Sequence, residues 1–287
     1  MRIRVATCLT LPEPDPDEEL LLAALAEAGV SVELAAWEDP SVDWDAPVPA
    51  VIRSTWNYTR HPDAFLAWCE RVARAGLFIN PPDVVRENAH KRYLLDLAAR
   101  GVAAVPTALV ERASAVSIDA LCRERGFERI VIKPAIGAGS WGARVFDASD
   151  RAAADAHLAE WGARADMLVQ PYLPSVEGYG ERSLIWIDGA ITHAIRKSRR
   201  LAGDEESVSG PFEISDAERA LALAAIEPFA SRILYGRVDM APGLDGRPCV
   251  MELELIEPSL FFAYSRAALD RYVTALIRRV RAASASG

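Results

Sequence analysis

The stretch that most constrains this chain is Arg129-Ile-Val-Ile-Lys-Pro-Ala-Ile-Gly-Ala-Gly-Ser-Trp-Gly-Ala-Arg-Val-Phe146. A β-branched run ends in Lys133-Pro134, a glycine-rich loop follows, and Ala143 to Phe146 reads as a second short strand. Gly137, Gly139 and Gly142 let the backbone fold closely over a ligand, and free amide N–H groups in such a loop suit phosphate oxygens. Lys133, just before the loop, places a cation near the same phosphates. A tight hairpin that needs its glycines only for turn geometry is the competing account, because a glycine pattern alone is a weak signal. The surroundings of the loop have to decide.

The spacing Gly137-x-Gly139-x-x-Gly142 matches the dinucleotide fingerprint. That fingerprint sits between a strand and a helix, with an acidic residue about 20 positions on. Here a strand follows the glycines and the loop lies mid-chain, so the dinucleotide reading fails on context. A protein-kinase loop also joins two strands, but no His-Arg-Asp or Asp-Phe-Gly segment follows. The phosphate-loop ending Gly-Lys-Ser/Thr is absent as well.

Upstream, apolar strand-like runs at Ile3 to Leu9, Val30 to Trp37, Val51 to Trp56 and Leu77 to Asn80 alternate with helical patterns at Glu18 to Ala28 and Pro62 to Ala75. Such alternation predicts a parallel sheet covered on both faces, with ligands beyond the carboxyl ends of its strands. Arg53-Ser54-Thr55-Trp56, Asn57 and Tyr58 lie there and are candidate substrate contacts. Pro81-Pro82 marks a break, and a helix from Asn88 to Ala99 carries Lys91. After the glycine loop come a helix from Arg151 to Trp161, the apolar run Met167 to Gln170 and a hinge-like Pro171-Tyr-Leu-Pro174. Two strands, Arg182 to Asp188 and Ala190 to Lys197, then turn at Asp188-Gly189. The polar stretch Ser198 to Gly210 is expected to be mobile, and helices at Asp216 to Arg232 and Arg266 to Ala283 flank strands at Gly236 to Met240 and Cys249 to Ile256.

Composition narrows the classes. A chain of 287 residues holds two domains or one large α/β body. A net charge of −9 argues against a general nucleic-acid binder, yet leaves room for a small anion in a local basic pocket. No apolar run approaches the roughly 18–20 residues that span a bilayer. The N-terminus lacks the pattern of a signal peptide. Cys8, Cys69, Cys122 and Cys249 are scattered, so neither a disulfide framework nor a cysteine zinc site is expected, and the cytoplasm fits. His61, His90, His157 and His193 show no ligand spacing and read as structural or surface residues.

Carboxylates in the last third decide the loop. Asp239 closes Gly236-Arg-Val-Asp-Met240, and Glu252 and Glu254 alternate within Val250-Met-Glu-Leu-Glu-Leu255. Residues two apart on a strand share a face, so both glutamates project the same way. Crowding acids in an apolar strand is costly unless a cation offsets their repulsion. Magnesium suits such hard oxygen donors, with phosphates and water completing its octahedron. An edge strand with a solvated glutamate face is the bland account, and the flanking apolar residues oppose it.

With loop and carboxylates in place, the chain resembles the ATP-grasp superfamily of carboxylate–amine ligases over nearly its whole length. The resemblance implies an α/β (α+β) ATP-grasp fold: an N-terminal parallel α/β pre-ATP-grasp domain over 1–86, a central lid lobe over 87–171 and a C-terminal lobe over 172–287. ATP would lie between the last two. Lys91 looks like the first nucleotide lysine, and Lys133 with Gly137, Gly139, Ser140 and Gly142 looks like the second lysine and its phosphate lid. Gln170, Pro171, Tyr172 and Leu173 are similar to the adenine hinge, with Glu177 or Glu181 near the ribose. Asp239, Glu252 and Glu254 match the magnesium triad, for two ions, although many members carry Asn where this chain has Glu254. Lys197 resembles a further phosphate or substrate contact, Arg237 is expected at the acyl carbonyl, and Trp141 at the loop tip touches substrate or packs the closed lid.

What the resemblance implies chemically is ATP-dependent activation of a carboxylate to an acyl phosphate, then attack by an amine with release of ADP and phosphate. The partner would be a small amino-acid-like substrate, with no nucleic acid, no membrane and a homodimer compatible with the fold. Arg53 to Tyr58, Asn80-Pro-Pro82, the Lys91 segment and Glu252-Leu-Glu-Leu-Ile-Glu-Pro258 look most like the branch containing the O-ureido-serine cyclo-ligase of cycloserine assembly, an antibiotic-biosynthesis branch. Its members can close a ring within one molecule. Intermolecular amide ligation of the glutathione-synthetase type and a non-catalytic ATP-binding regulator are the alternatives. The complete set of lysines and carboxylates speaks against the regulator.

Overall fold

The computed structural model describes residues 1–198 and 207–286. Three sheets follow one another along the chain. The first contains β1 (Arg2–Thr7), β2 (Ser31–Ala36), β3 (Ala50–Ile52) and β4 (Phe78–Ile79), all parallel in the order β2-β1-β3-β4. Helices α1 (Glu18–Glu27) and α2 (Pro62–Ala75) provide the crossovers. Helix α2 buries Phe65, Trp68, Cys69 and Val72, an i, i+3, i+4, i+7 stripe, against Trp37, Trp44 and Phe78. Strand β3 is shorter than the apolar run suggested: it ends at Ile52, and Arg53 to Tyr58 leave the sheet at its carboxyl end.

The helix expected from Asn88 to Ala99 is two helices, α3 (Pro82–Ala89) and α4 (Tyr93–Ala99). Pro82 starts α3 early because its missing N–H costs nothing in a first helical turn. The chain then turns extended at His90, whose ring Nδ1 accepts from the Arg92 N–H, and the Lys91 N–H donates to the Ala135 carbonyl at 2.8 Å. Lys91 therefore sits in a connection, not on a helix. The second sheet is antiparallel, in the order β5-β8-β6-β7, from β5 (Ala108–Val110), β6 (Ile130–Pro134), β7 (Arg144–Phe146) and β8 (Met167–Pro171). Helices α5 (Ile118–Arg125) and α6 (Arg151–Gly162) cover one side of it.

After a single helical turn, α7 (Ser175–Gly178), the third sheet runs β11-β10-β9-β12-β13, antiparallel throughout. Its strands are β9 (Glu181–Ile187), β10 (Ala190–Lys197), β11 (Val208–Ser209), β12 (Tyr235–Pro242) and β13 (Pro248–Glu254). Residues 199–206 of the stretch expected to be mobile lie outside the described residues. Helix α8 (Asp216–Ile226) opens with a Ser215–Glu218 capping box and ends six residues before the predicted Arg232. Helix α9 (Arg266–Ser286) packs Tyr272, Leu276 and Val280 into a cluster shared with Ile3, Val5, Leu21 and Val51 of the first sheet and its helix. The first and third sheets thus share one core.

Three side chains lock the third sheet and the segment after it to what precedes them. Asn88 of α3 donates to the Leu253 carbonyl and accepts from the Leu255 N–H, both at 2.8 Å, so a side-chain amide completes the open edge of β13. Asn80, in a left-handed conformation (φ 57°), does the same for the carbonyls of Tyr235 and Leu255 and the Leu234 N–H. The fully buried Asp17 carboxylate accepts from the backbone N–H groups of Leu260, Phe261 and Phe262 at 2.5, 3.2 and 2.8 Å and from Arg53 at 3.0 Å. Three consecutive N–H groups form a concave anion site, and here the chain fills it with its own carboxylate. Asp17→Ala strands a buried guanidinium and three N–H groups, and is expected to lower the unfolding free energy by about 3–5 kcal/mol in urea denaturation. A loss below about 1 kcal/mol would show the contact to be dispensable.

Candidate active site

The β12–β13 pair carries the acids. Asp239 lies directly opposite Glu252 and Arg237 opposite Glu254, while Val238 and Leu253 point to the other side, into the core. The register slips between Asp239 and Met240, so β13 bulges at Met251 and the two glutamates are set against the polar positions of β12. Arg237 spreads over both strands: Nε and Nη2 donate to Asp239 at 2.9 Å, Nη2 to Glu254 at 2.5 Å and Nη1 to the Ser259 carbonyl at 3.1 Å. Lys197, at the end of β10, donates to Asp239 at 2.6 Å and lies 3.4 Å from Glu181.

The opposing cations come from the second sheet and from the α3–α4 connection. Lys133 of β6 donates to Glu252 at 3.0 Å, and Lys91 lies 3.9 Å from the same oxygen while donating to the Gly137 carbonyl at 2.6 Å. Lys91 therefore ties the glycine loop to the carboxylate face. Gly139 and Gly142 take left-handed conformations, as does Ser140 (φ 59°). A Cβ on Gly142 would lie 2.7 Å from the Trp161 ring and 2.9 Å from Pro134, so only glycine fits.

Burial alone would push every carboxyl here upward, so the neighbours decide which stay charged. For Glu252 the lysines Lys91 and Lys133 win and hold it down at about 2. For Asp239, Arg237 and Lys197 overcome burial and hold it far below the usual range, and Asp239 in turn keeps buried Lys197 protonated. Glu254 goes the other way: burial and the charge of Asp239 outweigh Arg237 and raise it. Glu257, in the connection after β13, is pushed up to about 8 by burial and by Glu254.

The donor set Asp239, Glu252 and Glu254 is hard oxygen throughout and suits magnesium chemically. Among the described residues no three His, Cys, Asp or Glu side chains converge as a metal cluster, and these carboxylates pair with Lys133, Lys197 and Arg237. A metal here would replace those cations.

A sequence profile of the D-cycloserine synthetase DcsG N-terminal domain matches residues 3–80. The cycloserine biosynthesis protein DcsG of Streptomyces lavendulae is 35% identical over 96% of this chain and 98% of its own. The chain belongs to the D-cycloserine synthetase family. The crystal structure of D-cycloserine synthetase DcsG overlays 98% of this chain and 100% of its own with a TM-score of 0.89 at 34% identity. At 17% identity, the D-alanine–D-alanine ligase of Bacillus anthracis, complexed with ATP, covers all of both chains with a TM-score of 0.70 and shares the fold. This family member is an ATP-grasp ligase that forms carbon–nitrogen bonds, as the resemblance implied. No helix among the described residues is long and apolar enough to cross a membrane.

The remaining predicted residues fall in several places. The Gln170 side chain is buried and donates to Thr107, Pro171 closes β8, and Arg129 stacks 4.1 Å over the ring of Tyr172, which is buried like Leu173. Glu177 accepts from Arg129 and the Tyr172 hydroxyl, whereas Glu181 sits with Lys197 in the charged cluster. Asn57 has both ends of its amide engaged, accepting from Trp37 and donating to Glu38. Trp141 packs edge-on against Trp161 at 4.7 Å, which makes it a prop for the glycine loop. Tyr58 is buried, with Glu257, Glu254 and Glu252 bearing on its hydroxyl. Sequence reasoning missed Glu257, Asn80, Asn88 and Asp17 as site-forming residues; for Glu257 the signal was a third acid in the Glu252-x-Glu254-x-x-Glu257 run.

The folded value of Glu257 lies above its ordinary 4.5, so its neutral form favours the fold at low pH and that advantage is lost as pH rises through about 8. Thermal melts of the ligand-free protein should show the wild type losing ground to Glu257→Gln between about pH 5 and 8. Parallel melting curves for the two proteins would contradict the raised value.

Proposed function

We propose that this ligase uses ATP to close a ring within an amino-acid-type substrate of the O-ureido-D-serine class, so that it catalyses a step of cycloserine biosynthesis. The observation that carries the reading is the convergence of Lys133 and loop-tethered Lys91 on Glu252, opposite Asp239. Whole-length likeness to D-cycloserine synthetase supports the substrate class.

In this reading residues 1–86, 87–171 and 172–287 act as the three working units, with nucleotide held between the last two. The phosphates of a bound nucleoside triphosphate would draw Lys91 and Lys133 from Glu252, with the glycine loop over them. Asp239, Glu252 and Glu254 would then hold magnesium, two ions on the family pattern, which spreads the charge of the transferring phosphoryl group. A substrate carboxylate oxygen attacks the terminal phosphorus and ADP leaves. The substrate nitrogen next attacks the acyl carbon, its proton departs, and phosphate is expelled. Arg237, fixed by Asp239 and the Ser259 carbonyl, would offer a rigid donor to the developing oxyanion, and Lys197, bonded to the same Asp239, would offset charge beside it. The glycine loop keeps water from the acyl phosphate. The hinge Gln170 to Leu173 takes the adenine edge. A homodimer and a cytoplasmic setting belong to this reading on the sequence alone.

Lys133→Ala and Glu252→Ala are each expected to cut substrate-dependent ADP release by at least about 100-fold while circular dichroism stays unchanged. Undiminished turnover in both variants would remove the assignments. Screening amino acids, dipeptides and ureido or hydroxyamino acids with product mass as readout separates the modes: a product lighter than its single substrate marks cyclisation, and one joining two substrates marks intermolecular ligation.

A further inference from the structure

The glycine loop is held at its two ends by different means. On the incoming side the backbone fixes Ala135, whose N–H donates to the Asp166 carbonyl and whose carbonyl accepts from the Lys91 N–H, both at 2.8 Å. On the outgoing side Arg144 is the first residue paired with β6, opposite Ile132. Between them the tip bonds to itself: the Trp141 N–H donates to the Ala138 carbonyl at 3.1 Å and the Ala143 N–H to the Ser140 carbonyl at 3.0 Å. Among the described residues, two side chains tie 136–142 to the rest of the chain by hydrogen bonds. Lys91 Nζ donates to the Gly137 carbonyl at 2.6 Å, and the His157 ring donates from Nε2 to the Gly142 carbonyl at 3.1 Å.

The two tethers lie on opposite faces of the second sheet. Side chains alternate along β6, and Ile130 and Ile132 enter the core under α6 with Leu158 and Phe146. Lys133 therefore stands on the other face, with Glu252 and Lys91. An anion arriving there competes for the Lys91 ammonium, whereas the sheet separates it from His157. His157 and Trp161 are one turn apart on α6 and share a face of that helix. Their rings are 5.9 Å apart, and His157 also packs on Phe146 at 5.5 Å. Trp161 meets Trp141 edge-on and occupies the space a Gly142 Cβ would need. The imidazole is thus held between two rings with its donor on a loop carbonyl.

We propose that His157, backed by Trp161, is a positioning residue for the nucleotide: it anchors Gly142, so that bound phosphates have only 136–141 left to order. This rests on the reading of the glycine loop as the cover of those phosphates. Every residue a ligand must order costs binding free energy, and a tether made beforehand removes part of that cost. Only a tether on the far face persists throughout binding, because the lysine on the near face is drawn to the phosphates.

The test measures binding of β,γ-imido-ATP with magnesium to the full chain by calorimetry, together with amide hydrogen exchange of the segment 136–143. In the wild type the nucleotide is expected to slow exchange of that segment. His157→Leu keeps apolar bulk but removes the donor; it should speed exchange of the segment without nucleotide and weaken nucleotide binding by about 3- to 10-fold. In turnover, KM for ATP should carry that loss while kcat stays within about threefold. His157→Gln restores an N–H donor and should return both readouts to within about twofold of the wild type. A His157→Leu protein with unchanged affinity and exchange overturns the proposal. So does a His157→Gln protein as impaired as His157→Leu, because ring packing and not the hydrogen bond then matters. A wild type that binds the nucleotide with no change in exchange over 136–143 overturns the phosphate-cover reading itself, and this inference with it.

Discussion

Asp239 is the point on which the cleft depends. Only 1% of it is exposed, and it binds both Lys197 of β10 and Arg237 of its own strand, so one carboxylate couples two strands that β9 separates. A buried ion cluster of this kind adds little net stability over an apolar core, but removing one member leaves unpaired charge in a poorly solvated place. The arrangement is therefore strongly specified without being especially stabilising. Val238 and Leu253, alternating with the charged residues, anchor the opposite side of the strand pair in the core. The pleat alone sends charge one way and hydrocarbon the other.

Such a face works only if its edge strand does not move. Strand β13 is the outer strand of its sheet, and its far edge is completed by Asn88, by the Tyr93 hydroxyl accepting from the Leu253 N–H, and by pairing of Val250 with Ala103 and Val105. Asn88 brackets Glu254 by taking the carbonyl before it and the N–H after it. Asp17 performs the equivalent task at Leu260 to Phe262, just beyond Glu257 and Ser259. Neutral amides and one carboxylate from the first half of the chain thus hold the chemistry of the second half in register. This explains why the first and third sheets share a core instead of forming two separable bodies.

The features legible in the sequence are those whose cause is local. The strand–glycine–strand element follows from residue types within eighteen positions, and the pairing of Glu252 with Glu254 follows from a period of two. Features whose cause lies far along the chain were hidden. Asn80 and Asn88 bond residues more than 150 positions away, and Asp17 bonds residues more than 240 positions away, so they read only as a strand-end, a helix and a loop residue. Helix continuity failed at His90 because the Lys91 N–H finds Ala135, a tertiary partner that propensity does not know. Glu257 breaks the strand period and so dropped out of the carboxylate count.

The pairing of lysines with carboxylates also has a thermodynamic consequence. Glu252 is held ionised by Lys133 and Lys91, the same lysines that stand beside the glycine loop. A polyanion that draws those lysines away exposes the carboxylate, and a cation that occupies the carboxylate frees the lysines for the polyanion. The two binding events therefore favour each other, and by linkage the factor by which one strengthens the other is the same in both directions. Neither ligand alone finds the cleft electrostatically ready, because each must displace half of an existing ion pair. The pairing of these side chains is thus a bias toward taking phosphate and cation together, built from the same groups that hold the site in shape.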